Sequence, residues 1–218
     1  MFRHVLFDLD GTLTESHEGI LRSVAYALEK EGEPTDGRLE RKIVIGPPLM
    51  YTFTHTYRFP KEKARRVYGY FQERYGTVGL FENHPYDGIP ALLKSLHDAG
   101  IRSYVATSKP RVHAVAICDT FGLTPYLSKI AGAEFGGEED KTAIMEGILK
   151  GIPDRRDGGT VMVGDRRFDV IGARRCDIPV IGVGFGYGNE KEREEFTPDY
   201  YAPTVAALRD ILLNKEII

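Results

Sequence analysis

Residues 7–16 read FDLDGTLTES and follow a short apolar run at residues 3–7. The apolar run predicts a buried strand that ends where the acidic pair Asp8 and Asp10 begins. Side chains at i and i+2 of an extended chain point to the same side, so the two carboxylates should converge. Open α/β sheets bind ligands at the carboxyl ends of their strands, which favours a functional site here. The alternative is two solvated turn residues, since Asp-Gly is a common turn signal.

Further apolar runs of the same kind lie at residues 101–106, 128–131, 160–163 and 180–183. Each is short and rich in Val, Ile or Ala, which is typical of strands buried on both faces. Helical patterns separate them, at residues 89–96, 110–122, 140–149 and 204–213. Pro110 suits the first position of its helix, and Asp140 suits the N-cap of the next. The alternation predicts an α/β fold with a doubly wound, mostly parallel sheet.

The stretch at residues 16–83 interrupts this alternation and contains no convincing strand. One amphipathic helical pattern in it ends at Gly32, and a second is centred near Phe71. The sequence therefore predicts a core made of residues 1–15 and 84–218, with a small all-helical domain inserted between the first strand and the rest of the sheet.

The overall composition excludes several classes of protein. The 218 residues are 42% hydrophobic and carry a formal net charge of −3, which argues against a nucleic-acid binder. Cys118 and Cys176 form no metal-ligand spacing and no disulfide framework, as expected in a reducing compartment. The first residues are too short an apolar run for a signal peptide or a membrane span. We expect a cytoplasmic protein without nucleic-acid or membrane partners, and a monomer rather than a dimer because no long apolar stripe is left over.

A second acidic cluster, GDRRFD at residues 164–169, follows another apolar run. Asp165 and Asp169 would face the same way if a helix began at this point. Helix capping explains either residue alone, but it explains poorly why four carboxylates gather at one sheet edge. Hard oxygen ligands at strand ends suit Mg²⁺, and the expected ligands are Asp8, Asp10, Asp165 and Asp169. Arg166 and Arg167 are expected to be solvated, unless one of them contacts the substrate.

Two weaker signals lie elsewhere in the chain. Thr107, Ser108 and Lys109 follow a strand expected to end at Ala106 and precede a helix, so they can bind a phosphate oxygen or merely cap that helix. Lys141 is expected in the first turn of a helix, where the helix dipole disfavours a cation. A nearby phosphate or carboxylate would compensate this unfavourable placement.

The four segments FDLDGTLTES, VATSKP, DKTAIM and VGDRRFDVIGA resemble, in this order, the motifs of the haloacid dehalogenase (HAD) superfamily. The similarity is greatest to its phosphoglycolate phosphatase-like branch and extends over essentially the whole chain. It implies a Rossmann-like catalytic core, with residues 16–83 forming a helical cap. It also implies Mg²⁺-dependent hydrolysis of small phosphate monoesters, such as phosphoglycolate or a nucleoside monophosphate, through an aspartyl-phosphate.

The resemblance implies a role for each matching residue. Asp8 would be the nucleophile, and Asp10 would protonate the leaving group and then activate water. Thr107 and Lys141 would complete the catalytic set, with Lys109 as a rival of Lys141 that the spacing to the last motif disfavours. The residues implied in substrate or phosphate binding are Leu9, Gly11, Thr12, Ser108, Lys109 and Gly46. The Gly-Pro-Pro turn that begins at Gly46 is either a substrate-facing loop or a rigid turn between cap helices.

Three other functions are compatible with parts of this pattern. A sugar phosphomutase of the same branch would use the same aspartates and return the phosphate to its substrate. A signalling receiver would store an aspartyl-phosphate, but receivers lack a large helical cap and carry the acceptor on a middle strand. A catalytically silent binding protein could share the fold, although all the reactive residues are present here.

Overall fold

The computed structural model describes residues 2–34, 45, 49–134, 140–153 and 159–213. The chain divides into two compact units, a core unit (Met1–Glu15 and Pro85–Ile218) and a helical unit (Ser16–His84). That the helical unit acts as a cap stays a prediction.

The core unit contains a six-stranded parallel sheet. Its strands are β1 (His4–Phe7), β4 (Arg102–Pro110), β5 (Leu127–Ala133), β6 (Thr160–Gly164), β7 (Val180–Val183) and β8 (Tyr200–Ala202). Two further strands of two residues each, β2 (Thr14–Glu15) and β3 (His84–Pro85), lie outside this sheet. The strand order is β5-β4-β1-β6-β7-β8, so the order reverses around β1. A crevice for ligands is expected at such a reversal, beyond the carboxyl ends of the strands.

The strand register shows which residues of β4 and β6 lie beside the end of β1. Phe7, the last residue of β1, is level with Val105 of β4 and Val163 of β6. All four residues of β1 are buried, so both faces of the sheet are covered. The predicted doubly wound α/β fold is confirmed.

Helices of the core unit lie between these strands in the sequence, and the last of them follows β8. They are α4 (Ile89–Asp98), α5 (Arg111–Thr120), α6 (Lys141–Leu149), α7 (Arg167–Arg175), α8 (Glu190–Glu195) and α9 (Val205–Leu213). One face of the sheet, including Leu6 and Met162, packs with Met145 and Ile148 of α6 in a buried cluster. This packing fixes the start of α6 close to the end of β1.

The structure corrects the predicted end of the strand that carries Thr107. β4 continues to Pro110, and α5 begins at Arg111 rather than at the proline. Pro110 has φ −51° and ψ 131°, an extended conformation at the N-cap of the helix. The register with β5 shifts between Thr107 and Pro110, so a local irregularity absorbs the extra length. Thr107, Ser108 and Lys109 are therefore strand residues.

The helical unit contains α1 (His17–Lys30), α2 (Leu49–Tyr51) and α3 (Lys61–Arg74). Two π-helical segments, Thr52–Thr56 and Tyr75–Gly79, follow α2 and α3. Gly32, with φ +78°, lies just beyond the end of α1, where a glycine stop was expected. The unit has buried apolar side chains of its own, among them Val24, Leu28, Phe53, Val67 and Phe71. The predicted turn at Gly46 lies outside the described residues.

Candidate active site

Asp8 directly follows β1 and is only 3% exposed. Its Oδ1 accepts a hydrogen bond from the backbone N–H of Leu9 at 2.7 Å and lies 2.7 Å from Nζ of Lys141. The parallel strand pairing ends at Phe7, so the next residue can turn its side chain toward the crevice beyond the sheet. Burial, partly offset by Lys141, raises the pKa of Asp8 to about 6.

The chain after Asp8 turns tightly around the carbonyl oxygen of Leu9. This oxygen accepts hydrogen bonds from the N–H groups of Leu13 and Thr14, both at 2.9 Å. Gly11 has φ +82°, which an L side chain rarely adopts, and a Cβ there would collide with Asp165 Oδ2. A glycine is thus required both for the turn and for the close approach of Asp165.

Lys141 is the first residue of α6 and is held there by the N-cap Asp140, which accepts from Ala143 N at 2.9 Å. Its Nζ lies 2.7 Å from Asp8 and 2.8 Å from Asp169, and it donates to Ala106 O at 3.2 Å. Burial alone lowers the pKa of Lys141, but the two carboxylates outweigh burial and raise that pKa above its ordinary value. A lysine in the first turn of a helix is unfavourable to the helix dipole, and a nearby phosphate or carboxylate was expected to compensate it. At Lys141 two carboxylates do so.

Asp165 and Asp169 do not lie in one helix. The sequence expected them to face the same way only if a helix began at Asp165, and it does not. α7 begins at Arg167, so Asp165 lies in the turn before it, while Asp169 is the third helical residue. Asp169 Oδ2 accepts from the N–H of Arg166 at 3.0 Å, and so caps the helix start. The two carboxylates nevertheless meet, because the turn after β6 brings Asp165 back beside Asp169.

One oxygen atom from each of Asp8, Asp165 and Asp169 lies within 4.8 Å of the others. Burial and the nearby charges of Asp169 and Asp8 raise the pKa of Asp165 well above its ordinary range. Asp165 Oδ1 is buried and has no hydrogen-bond partner among the described residues. Three clustered carboxylates with an unsatisfied buried oxygen fit a hard divalent cation such as Mg²⁺.

The side chain of Asp10 lies apart from this acidic triad. Its Oδ1 is 2.9 Å from Nζ of Lys109, and the two side chains are 13% and 5% exposed. The two lysines weighed against each other in the sequence thus have separate partners, Lys141 with Asp8 and Lys109 with Asp10. The side-chain contribution of Asp10 to a metal site stays a prediction.

Hydroxyl groups surround the same sheet edge. Thr107 is 2% exposed, and its Oγ1 accepts from the N–H of Lys109 at 3.2 Å. Thr12 is fully buried, and its Oγ1 has no hydrogen-bond partner among the residues the structure describes. Ser108 is half-buried. The structure thus brings the predicted phosphate-binding residues to one edge, apart from Gly46, which lies outside its described part.

Sequence reasoning missed three residues beside the acidic triad. Arg166 was expected to be solvated, which is wrong: it is buried and pairs with Glu192 of α8. Tyr187 donates its N–H to Asp165 Oδ2 at 2.6 Å. The sequence did contain a signal for Glu192, because Asn189 and Glu192 have the spacing of a capping box at the start of a helix. Asn189 Oδ1 does accept from Glu192 N, at 2.9 Å.

A family model described as haloacid dehalogenase-like hydrolase matches residues 5–183. The chain belongs to this family. The resemblance found in the sequence is confirmed, and so is the expected class of enzyme, a phosphatase. None of the helices in the described part of the chain is long and apolar enough to span a bilayer.

Several individual proteins are similar to this HAD-like chain over nearly its full length. A 5'-nucleotidase of Pseudomonas aeruginosa is 41% identical over 216 residues, covering 97% of this chain and 96% of the relative. The tyrosine-protein kinase PtkA of Mycobacterium tuberculosis is 37% identical over 215 residues, covering 95% of this chain and 72% of the kinase. The solved structure of a "predicted phosphatase from Clostridium acetobutylicum" superposes with a TM-score of 0.91 at 37% identity, covering 98% and 99% of the two chains.

Proposed function

We propose that this HAD-like phosphatase hydrolyses small phosphate monoesters through an aspartyl-phosphate formed on Asp8. The observation that carries the proposal is the position of Lys141, whose ammonium group lies between Asp8 and Asp169 at 2.7 and 2.8 Å. A carboxylate attacks a phosphate dianion only when the negative charge around it is neutralised. A buried lysine on the nucleophile itself supplies that neutralisation.

In the first step, the carboxylate of Asp8 bonds to phosphorus as the bond from phosphorus to the ester oxygen breaks. Asp10 donates a proton to the departing oxygen, which leaves as an alcohol. Lys109 holds the Asp10 side chain at 2.9 Å and so fixes its direction. The backbone N–H of Leu9 and the ammonium group of Lys141 both contact Oδ1 of Asp8. These two contacts orient the plane of the attacking carboxylate.

In the second step, water attacks the phosphorus of the aspartyl-phosphate and Asp10 accepts the proton of that water. The bond from phosphorus to Asp8 breaks, and inorganic phosphate leaves. One residue serves both steps because the proton moves in opposite directions in them. The Thr107 hydroxyl and the backbone N–H groups after β1 are the groups proposed to hold the phosphoryl oxygens.

Asp8, Asp165 and the backbone carbonyl of Asp10 are the groups proposed to hold Mg²⁺, with Asp169 as a further ligand or neighbour. The ion would neutralise phosphoryl charge and orient the substrate. The unsatisfied Oδ1 of Asp165 and the three clustered carboxylates support this assignment.

Nucleoside monophosphates and phosphoglycolate are the leading substrate candidates. The 41% identical relative is named 5'-nucleotidase, and it covers this chain almost completely. A 31% identical relative is named phosphoglycolate phosphatase. We infer a small phosphorylated metabolite as the partner, with the helical unit acting as the family's cap.

The test is phosphate release from a panel of monoesters, with and without Mg²⁺, by the wild type and Asp8→Asn side by side. The panel contains phosphoglycolate, nucleoside monophosphates, sugar phosphates and an aryl phosphate. We expect Mg²⁺-dependent release that Asp8→Asn abolishes, and the ranking of esters then identifies the substrate class. Undiminished release by Asp8→Asn would rule out the covalent mechanism.

A second candidate is transfer of the phosphoryl group to an alcohol instead of water. It is favoured by the 37% identical relative named tyrosine-protein kinase, and a sugar phosphomutase would be another case of such transfer. Incubation of the enzyme with labelled phosphate donors, tyrosine peptides and sugar phosphates distinguishes these reactions. Label in a peptide or in a sugar-phosphate isomer, with slow phosphate release, would favour transfer over hydrolysis.

A further inference from the structure

Arg166 and Glu192 form a buried ion pair next to the acidic triad. Nε and Nη2 of Arg166 donate to the two carboxylate oxygens of Glu192, each at 2.9 Å. The side chains of Arg166 and Glu192 are 8% and 12% exposed. This two-pronged geometry fixes the orientation of both side chains more tightly than a single contact does.

Glu192 also holds the main chain where α7 begins. Its Oε1 accepts from the N–H of Arg167 at 2.7 Å, in addition to its bond with the Arg166 side chain. Glu192 is fixed in turn by Asn189, the N-cap of α8. α8 and the start of α7 are thus joined through one carboxylate.

The segment before α8 contacts Asp165 directly. The N–H of Tyr187 donates to Asp165 Oδ2 at 2.6 Å. A Cβ at Gly188 would collide with the carbonyl oxygen of Asp165, and a Cβ at Gly186 would collide with the Asp165 side chain. The backbone of residues 186–188 therefore packs directly against Asp165. This close approach requires glycine at positions 186 and 188.

The ion pair between Arg166 and Glu192 can influence the positions of two carboxylates of the acidic triad. Arg166 lies between Asp165 and Asp169, and its backbone N–H donates to Asp169 Oδ2 at 3.0 Å. A shift of the Arg166 backbone would therefore move a hydrogen-bond donor of Asp169 and the chain that carries Asp165. Glu192 engages the side chain of Arg166 and the N–H of the next residue, so it fixes this short segment at two points.

A buried ion pair is a poor device for stability alone. The cost of removing both charges from water commonly cancels their attraction, and apolar replacements are often neutral or stabilising. Such a pair can instead fix one arrangement of the groups around it. Groups that orient metal ligands without touching the metal commonly change its affinity by about 10- to 100-fold when mutated.

We propose that Glu192 is a positioning residue for the metal site, acting through Arg166 and Arg167 on Asp165 and Asp169. It holds the turn between β6 and α7 in the conformation in which the two carboxylates approach Asp8. The inference rests on the proposed function, which assigns these carboxylates to a divalent cation. It adds a residue from α8, 23 positions beyond Asp169 in the sequence, to the groups that determine metal affinity.

The test compares full-length wild type, Glu192→Gln and the matched control Glu194→Gln, which changes an exposed glutamate of the same helix. Mn²⁺ is the probe, and free Mn²⁺ is measured by electron paramagnetic resonance during titration. We expect the Kd for Mn²⁺ to rise about 10- to 100-fold in Glu192→Gln and to stay unchanged in Glu194→Gln. In activity assays the Mg²⁺ concentration for half-maximal rate should rise similarly, while KM for the ester changes little.

Asn189→Ala keeps the proposal testable if Glu192→Gln fails to fold, because it only loosens the start of α8. A severalfold weaker Mn²⁺ affinity is expected for it. The proposal would be overturned if Glu192→Gln bound Mn²⁺ as tightly as the wild type, even with a lower Tm. If only Asn189→Ala folds, wild-type Mn²⁺ affinity in that variant would overturn it. A wild type that binds no Mn²⁺ would instead refute the metal assignment of the proposed function.

Discussion

Lys141 and Lys109 are close in the site but act on different carboxylates. Lys141 contacts Asp8 and Asp169, whereas Lys109 contacts Asp10, and both lysine side chains are buried. A cation between the proposed nucleophile and a second carboxylate would stabilise the negative charge that a substrate adds to the site. The cation on Asp10 instead orients the proposed acid and base.

Lys141→Ala is expected to lower kcat by about 10²- to 10³-fold, as for removal of a preorganised charge-stabilising group. Steady-state phosphate release measures the effect, and thermal unfolding reports any loss of fold. Lys150→Ala, an exposed lysine just after the same helix, is the matched control and should keep wild-type turnover. A greater loss of kcat in Lys109→Ala than in Lys141→Ala would reverse the assignment.

Residue positions along the chain predicted much of the site, but side-chain partners were not predictable. Asp8 and Asp165 were found because each follows an apolar run, and the ends of parallel strands meet at one edge. The pairing of Lys141 with Asp8 depends on how α6 packs on the sheet, which no local pattern encodes. Arg166 was taken as solvated because its partner Glu192 is 26 residues away.

Among the secondary-structure elements, β4 differs most from its sequence pattern. Its last four residues, Thr107 to Pro110, include a lysine and a proline, both of which are depleted in strands. The strand continues because β5 pairs alongside as far as Pro110, opposite Ala133. Pairing with a neighbour thus overrides local propensity, and the pairing partner could not be read from this segment.

Gly132→Ala in β5 is expected to lower the free energy of unfolding by about 1 to 3 kcal/mol. A Cβ there would lie 2.5 Å from the carbonyl oxygen of Lys109 and 2.9 Å from Cα of Arg111, so β4 must shift. Gly147→Ala in α6 meets no atom within 4 Å and should instead stabilise by about 0.5 to 1 kcal/mol. Urea unfolding of both variants measures whether the changes in unfolding free energy have opposite signs. Equal changes in the two variants would contradict this account of the β4–β5 contact.

Within the helical unit, Glu82 joins α1 to α3. It accepts from Arg74 at 2.8 and 2.9 Å and from Arg22 at 2.8 Å. The hydrogen bonds from Arg74, with Arg22 contributing, lower the pKa of Glu82 to about 2. Because the folded-state pKa is depressed, this contribution to stability is complete above the ordinary pKa of 4.5 and is lost as the pH falls toward 2.

Glu82→Gln should therefore cost about 1 to 3 kcal/mol of unfolding free energy at pH 7. The difference from the wild type should shrink as the pH falls from 4.5 toward 2. Denaturant unfolding at pH 7, 4 and 3 measures it, with the exposed Glu29→Gln of α1 as the control. A destabilisation that stays constant down to pH 3 would show that lost packing, rather than charge, is responsible.

At the scale of the whole molecule, the fold class followed from the order of elements. Strands alternating with helices, interrupted once by helices alone, predicted the sheet and the insert. β8 and α8 were missed because their sequences, YYA and EKEREE, are too short or too charged to show a buried periodicity. Both are held by tertiary contacts, such as the parallel pairing of β8 with β7.

We expect the protein to sediment as a monomer of 24.4 kDa. In the described ranges the exposed large apolar side chains are Tyr51, Val78, Phe81, Val112 and Tyr201, and of these only Val78 and Phe81 are close together in the sequence. Single exposed apolar residues are normal on monomers, whereas stable interfaces need a contiguous patch. Analytical ultracentrifugation at micromolar concentration checks the mass. A concentration-independent dimer would contradict the expectation.

The central place of β1 also has a consequence for biosynthesis. Its two neighbours, β4 and β6, begin at residues 102 and 160, so β1 leaves the ribosome well before either of its sheet partners. At about 5 to 20 residues per second, β6 emerges roughly 10 to 30 s after β1. A nascent chain with this topology leaves at least one edge of β1 unpaired throughout that interval, and unpaired strand edges are the feature that makes folding intermediates prone to aggregate.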